Sequence, residues 1–323
     1  MKTLNYIFGV VLSLALFACS NGADFGLPST EDSFDKIVSY NNKIDLVIVV
    51  DNSDSMKYHQ DRLTLQVPGF VERLNSLKMD YHIGVIGSSI SASYGGGQLL
   101  GTPAFLTSRS PNLSQSLQAR LQVGEGGSNL ESPLQNFKNI FFSDYMKYGG
   151  AGFLRSDALL VIIVLSDDDD KTAVTPEAFA KTLDEVKPQF RDGTRGWVYN
   201  YIGVLDIKSP CKSQGQSFPS VGVKHVWLTD FSHGVKASIC DNTLERAVGN
   251  IRARIEQILT YYPLKDKPKV ETIRVTLNGQ QIPPDEVNGW TYNAETNVVS
   301  FHGSAVPAVD GRVLVTYERA TAN

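Results

Sequence analysis

The sequence predicts an α/β fold: a doubly wound, mostly parallel sheet with one antiparallel edge strand, flanked by helices and followed by a small all-β domain. Three observations carry this. Ile44–Val50 and Ala158–Leu165 are largely apolar runs without alternation, each stopped by polar residues, the pattern of strands buried on both faces of a parallel sheet. Stretches of helical period separate such runs, and an intervening helix makes successive strands parallel. Beyond Pro263 the period drops to two, with Ile273, Val275 and Leu277 on one face and Asn278-Gly279 as a hairpin turn. The chain has 323 residues, 42% hydrophobic and 20% charged. That is an ordinary globular composition, and the length suits one main domain and a smaller one.

At the amino end, Lys2 and the apolar stretch Tyr6–Ala18 form a targeting segment too short to span a bilayer comfortably. It closes on Leu16-Phe17-Ala18-Cys19, which resembles a bacterial lipoprotein signal with Cys19 as the lipidated first residue of the mature chain. An ordinary cleaved secretory signal is the alternative. Ser20 stands where, by that resemblance, an Asp would retain the protein at the inner membrane, which implies the outer membrane. Residues 1–18 are thus read as signal peptide, 19–33 as a flexible lipidated tether, 34–262 as the α/β domain and 263–323 as the β domain. Asp35–Tyr40 is expected to add a strand to the β domain from the other side of the core. The formal charge is −4, and loss of Lys2 makes it one unit more negative. No basic patch points to nucleic acid.

Taken in order, the first buried strand leads into Tyr58–Lys78, where Leu63, Val67, Phe70, Val71 and Leu74 recur at helical spacing. Pro68 predicts a kink or break there. Tyr81–Gly87 is the next strand, and the Ser- and Gly-rich residues after it lead to Gln98–Leu106, the antiparallel edge strand. Ser110–Leu121 is helical, Gly124-Glu125-Gly126-Gly127 breaks it, and Ser128 or Asn129 caps a helix through Leu134, Phe137 and Ile140. The glycines at 149, 150 and 152 precede a strand instead of following one, which argues against a nucleotide loop. Thr175–Val186 is an amphipathic helix, Trp197–Leu205 a parallel strand, Val223–Thr229 the last strand and Asp241–Tyr262 the closing helix. Trp290–Tyr292, Val298–His302 and Arg312–Tyr317 continue as strands of the β domain.

Sites in such sheets lie at the carboxyl ends of the strands. The first run ends in Asp51-Asn52-Ser53-Asp54-Ser55, so Asp51, Ser53 and Ser55 can aim one carboxylate and two hydroxyls at a single point. Hard oxygens without His or Cys suit Mg²⁺, Mn²⁺ or Ca²⁺ and not zinc. The competing reading makes Asp54 or Ser55 the cap of the following helix and Asp51 a turn residue. Gly126-Gly127-Ser128 supplies a third hydroxyl, and Asp167 follows the second apolar run. In order and type these pieces resemble the metal-ion-dependent adhesion site of the von Willebrand factor type A family, also called the integrin I domain. Ser128 stands where the family usually has Thr, which keeps the hydroxyl and drops a methyl that stiffens the side chain.

The resemblance implies a divalent cation, Mg²⁺ before Mn²⁺ or Ca²⁺, held by Asp51, Ser53, Ser55, Ser128 and Asp167, with an open position for a partner protein's carboxylate. The expected function is a metal-dependent protein-binding or adhesion module on a lipid tether, with no enzymatic activity. Asp168, Asp169 and Asp170 either form a solvated loop, add negative potential or hold a second ion. The chain has three Cys; with Cys19 lipidated, Cys211 and Cys240 follow neighbouring strands and would be oxidised to a disulfide after export, two unpaired buried thiols being the alternative. A haloacid-dehalogenase-like phosphohydrolase with Asp51 as nucleophile is the rival, but it wants a second Asp where Ser53 stands. A scaffold with a vestigial metal site is the third reading. His59, His82, His225, His233 and His302 show no metal-ligand spacing, and no GxSxG elbow occurs.

Overall fold

A computed structural model of the chain describes residues 30–32, 43–127, 131–189, 195–207, 220–307 and 311–320. After a short strand, β1 (Thr30–Asp32), the chain enters the buried strand β2 (Lys43–Val50). The helical stretch that follows is broken in two, α1 (Lys57–Thr64) and α2 (Val67–Ser76), with Pro68 in the first turn of the second, where its missing N–H is harmless. Then come β3 (Asp80–Gly87), β4 (Leu106–Thr107), α3 (Leu113–Leu121) and α4 (Pro133–Phe141). The second apolar run is β5 (Leu159–Ser166), followed by α5 (Pro176–Val186), β6 (Trp197–Gly203) and α6 (Val223–Phe231). The α/β part closes with β7 (Lys236–Ser238) and α7 (Glu245–Thr260).

The six strands stand in the order β4-β3-β2-β5-β6-β7. Only β4 is antiparallel, paired through His82 with Thr107 and Ile83 with Leu106. The fold is therefore the predicted mostly parallel sheet with one antiparallel edge. Alternate residues of β2 feed opposite layers: Leu46, Ile48 and Val50 pack with Leu63, Phe70, Leu117 and Ile251, while Val47 and Val49 pack with Phe137, Phe179 and Leu228. Each such side chain contributes about 1.5–3 kcal/mol by leaving water. Asp45 is the one acid inside β2 and is fully buried. It accepts from Arg155 Nε at 2.8 Å and Lys187 Nζ at 3.2 Å, the pairing a buried charge requires.

The β domain follows α7 without a linker: β8 (Tyr261–Pro263), β9 (Arg274–Leu277), β10 (Gln280–Ile282), β11 (Trp290–Asn293), β12 (Val298–Phe301) and β13 (Val313–Tyr317). They form two antiparallel sheets, β1-β13-β9-β10 and β11-β12-β8. Asn278 and Gly279 both take positive φ, 52° and 81°, which is what a tight hairpin between β9 and β10 requires.

Four expectations change. Val223–Thr229 is not the last strand but the body of α6, and the last strand is β7. Its buried residues His225, Leu228 and Thr229 lie three and four apart, one face of a helix, which the β-branched content of the stretch obscured. The edge strand shrinks from 98–106 to Leu106–Thr107. The helix expected to be capped by Ser128 or Asn129 starts at Pro133. The strand that joins the β domain from the amino side is Thr30–Asp32, within the stretch read as tether, whereas 35–40 lies outside the described residues.

Candidate metal centre

The chain leaves β2 for β3 on one side and returns to β5 on the other, so the end of β2 is the topological switch point of the sheet. Val50 pairs with Leu165, and the Asp51 amide donates to the Leu165 carbonyl at 2.9 Å. Register alone therefore places Asp51 beside Ser166 and next to Asp167. Asp51 Oδ2 accepts from the Ser166 hydroxyl at 2.6 Å. Its Oδ1 accepts from the Ser53 amide at 2.9 Å, a side-chain turn that curls the chain back over the strand end.

That curl presents the two hydroxyls. Ser53 Oγ and Ser55 Oγ lie 3.3 Å apart, and Ser55 Oγ donates to Asp167 Oδ2 at 2.5 Å. Asp51, Ser53, Ser55 and Asp167 thus share one hydrogen-bonded cluster over the tips of β2 and β5. The capping alternative fails: α1 starts after Met56, and no side chain caps it. Ser128 lies outside the described residues, but Gly127 beside it is placed, its amide donating to the Asn52 carbonyl at 2.9 Å. Gln60, buried on α1, holds the same loop by donating to the carbonyls of Asp51 at 3.0 Å and Gly124 at 2.8 Å. No side chain fits at Gly127, since a Cβ there would meet Asn52 Oδ1 at 2.3 Å.

Three polar residues at the site were missed by the sequence reading. Ser166 and Ser88 end β5 and follow β3; Ser88 Oγ donates to Asn52 Oδ1 at 3.0 Å and more weakly to Asp51 Oδ1 at 3.4 Å. Their signal was their place at strand ends, the same signal that marked Asp51. The third is Glu131, only 2% exposed, in a segment that read as the first turn of a helix. Its carbonyl accepts from the Lys171 amide at 2.8 Å, which ties it to the loop after β5.

The electrostatics are those of a site short of positive charge. Burial pushes the Asp167 carboxyl up to about 6, the charges of Asp51 and Asp168 add to it, and the Ser55 bond opposes. Burial pushes Glu131 further, to about 8, followed by the charge of Asp51, against a smaller opposing effect of Lys171. Lys171 itself pairs with Asp168 at 2.5 Å. Carboxylates and hydroxyls converging where negative charge is under-compensated fit a hard divalent cation. Among the described residues, no three His, Cys, Asp or Glu side chains by themselves enclose an ion, so the hydroxyls are an integral part of any such ligand set.

The acidic run after Asp167 is accounted for by protein contacts. Asp168 bonds Ser220 and Lys171. Asp169 accepts from the Lys224 amide at 3.0 Å, at the start of α6. Asp170 accepts from the Leu134 amide at 2.8 Å, at the start of α4, and from Thr172. Cys240 lies just after β7, its amide donating to Ser238 Oγ at 3.1 Å; Cys211 and Cys19 lie outside the described residues.

No family model matches the chain, and no curated protein does. Among solved structures it is similar to proximal thread matrix protein 1 from the mussel byssus, at 13% identity over 74% of this chain and 52% of that one, with a TM-score of 0.44. A second structure of the mussel protein, at a TM-score of 0.42, is described as having a zinc-occupied MIDAS motif. The pilus adhesin SpaC from Lactobacillus rhamnosus GG, in an open conformation, is similar at 12% identity over 85% of this chain and 38% of that one, with a TM-score of 0.43. The chain spans about half of the mussel protein and less of the adhesin. At that distance the likeness does not describe this chain's site, which rests on its own residues.

Proposed function

We propose that this chain is a von Willebrand factor type A-like, metal-ion-dependent protein-binding module, held at a bacterial envelope by a lipid on Cys19. A divalent cation, Mg²⁺ before Mn²⁺ or Ca²⁺, is held by Asp51, Ser53, Ser55, Ser128 and Asp167, directly or through water. The observation that carries the reading is the cluster in which Asp51, Ser53, Ser55 and Asp167 meet by hydrogen bonds across two strand ends. When bound, the cation supplies a Lewis-acidic position for a carboxylate oxygen of a partner protein. Asp51, anchored by Ser166 and the Leu165 carbonyl, fixes the point around which the ligands gather. Ser53 and Ser55 present neutral oxygens, which leave the cation electrophilic. Asp167 faces them from β5, and the glycine loop before Ser128 closes the third side.

The envelope location, on the outer membrane, rests on the signal ending at Cys19 and the following Ser20, and the Cys211–Cys240 disulfide on export to an oxidising compartment. The reading includes no enzymatic activity and no nucleic acid. A phosphohydrolase is disfavoured because Ser53 stands where that chemistry wants a general acid, and Asp51 is only 1% exposed.

The test is thermal unfolding in EDTA, Mg²⁺, Mn²⁺ and Ca²⁺ for the wild type and Asp51→Ala. A cation at ~100 times its Kd should raise the wild-type Tm by roughly 5 °C, and the variant should not respond. Equal responses of the two proteins, or none in the wild type, defeat the reading. A pull-down from envelope extract with and without chelator then separates partner capture from a scaffold role, which would retain the thermal response and lose the chelator-sensitive partner.

A further inference from the structure

Arg120, in the last turn of α3, is a half-buried cation that no acid among the described residues compensates. Its Nη1 donates to the Ala104 carbonyl at 3.2 Å and its Nη2 to the Pro103 carbonyl at 2.6 Å. The remaining N–H groups, Nε among them, meet no acceptor among the described residues. Arg155, by contrast, is paired with Asp45 at 2.8 Å and Asp80 at 2.9 Å. Burial pushes the Arg120 guanidinium below its ordinary value, and no neighbouring carboxylate opposes this. The fork is nevertheless held in place. Gly101, at a φ of 93°, lies against it, so that a Cβ there would meet Nε at 2.7 Å and Cζ at 2.9 Å. Arg120 lines a cavity of about 620 Å³ between α3 and the chain that joins β3 to β4, together with Ser93, Thr102 and Ser116 and with no acid among the described residues.

We infer that this cavity is a second binding pocket, for an acidic peptide whose side-chain carboxylate lies on the Arg120 fork while the hydroxyls of Ser93, Thr102 and Ser116 take the peptide groups around it. A guanidinium offers parallel N–H donors that match both oxygens of a carboxylate. One cation without a second base beside it suits a single negative charge, whereas a phosphate group brings nearly two. A pocket of this volume also takes more than a bare anion. None of its lining residues belongs to the cluster over β2 and β5, so the pocket works without a cation and the inference stands apart from the metal reading.

Amide NMR titrations of the protein in EDTA test this, with an end-blocked Gly-Glu-Gly peptide, its Gly-Gln-Gly counterpart and inorganic phosphate as the probes. The Glu peptide should shift the Gly101 and Thr102 resonances and bind at least ~10-fold more tightly than either other probe. Arg120→Gln and Arg120→Met should each weaken it ~10-fold or more. If one variant fails to fold, the other decides, and the comparison of the two peptides needs no variant. Equal affinity for the Glu and Gln peptides, full affinity in a folded Arg120 variant, or no binding to the wild type overturns the inference. Phosphate binding more tightly than the Glu peptide overturns the assignment of a carboxylate.

Discussion

At the scale of single residues, Gly127 shows how closely the loops over the sheet approach one another. A methyl at this position would lie 2.3 Å from Asn52 Oδ1 and 2.6 Å from the Asn52 carbonyl, so the glycine loop must retreat from the strand end. Gly127→Ala is expected to lose about 1–3 kcal/mol of stability, and the displaced Ser128 should lower cation affinity as well, measured by denaturant unfolding and calorimetric titration on the same preparation. Proton linkage at a second residue works in the opposite layer. His225 is fully buried, with its Nδ1 bonded to Tyr199 Oη at 2.7 Å, and burial pushes its pKa down from 6.5 to about 4. The unfolded chain therefore takes up the proton first: the contribution is complete above pH 6.5 and is lost as the pH falls toward 4. Across that window the wild type should lose up to about 1.4 kcal/mol per pH unit from this group. His225→Gln should show a shallower acid limb in urea melts, and a slope equal to the wild type would assign the acid loss to other groups. Asp51, Ser53, Ser55 and Asp167 were legible because they directly follow apolar runs, whose ends topology brings together. Glu131 was not, since a Glu before Ser-Pro at the start of a helix looks like a solvated first-turn residue, and only its burial distinguishes it.

At the scale of elements, the run Asp167–Asp170 illustrates why charge patterning misleads when it is read without topology. A run of four acids reads as solvated, yet each of Asp168, Asp169 and Asp170 meets donors supplied by other segments, and two of them engage the positive ends of α6 and α4. The loop after β5 therefore acts as a staple that gathers two helices around the site. Asp170 is 2% exposed and holds the Leu134 amide, the Thr172 amide at 2.9 Å and Lys224 Nζ at 3.4 Å. Asp170→Ala should cost about 2–4 kcal/mol, and hydrogen exchange should show the first turn of α4 opening more readily than the rest of that helix. Protection unchanged at Leu134 would mean that the cap does not secure the helix start. The same loss of context explains α6. Val223, Val226 and Trp227 favour strand by type, whereas the buried set is helical by spacing, and the neighbouring residues 208–219 offered no periodicity to arbitrate. The turn at Asn278-Gly279 needed no such context, because its backbone demand is met by two residues alone.

At the scale of the whole molecule, the α/β part and the β part share a core. Tyr262, Leu264, Val275, Trp290, Val299 and Val315 belong to the same buried cluster as Phe70, Val71, Leu74, Ile255 and Leu259, and α7 runs straight into β8. A boundary at 262/263 read from the change of hydrophobic period therefore marks a change of architecture inside a continuous apolar interior. The amino side contributes as well, since β1 pairs antiparallel with β13 through Thr30–Tyr317, Glu31–Thr316 and Asp32–Val315. A chain beginning at residue 33 should accordingly be less stable than one beginning at residue 30 by about 1–3 kcal/mol, the worth of a few backbone hydrogen bonds. A shared core also couples the ends of the molecule energetically, because apolar surface exposed by opening either part is surface lost to both. Unfolding should then be a single transition, with the calorimetric and van't Hoff enthalpies equal. The sharper form of this prediction uses Trp290, 7% exposed in the β part, with Trp197 and Trp227 replaced by Phe so that fluorescence reports from Trp290 alone. Cation added at the far-off tips of β2 and β5 should raise the midpoint seen by Trp290 by the same number of degrees as the midpoint seen by far-UV circular dichroism. A Trp290 midpoint that ignores the cation would mean that the two parts open separately, and that the tether and the site are mechanically independent.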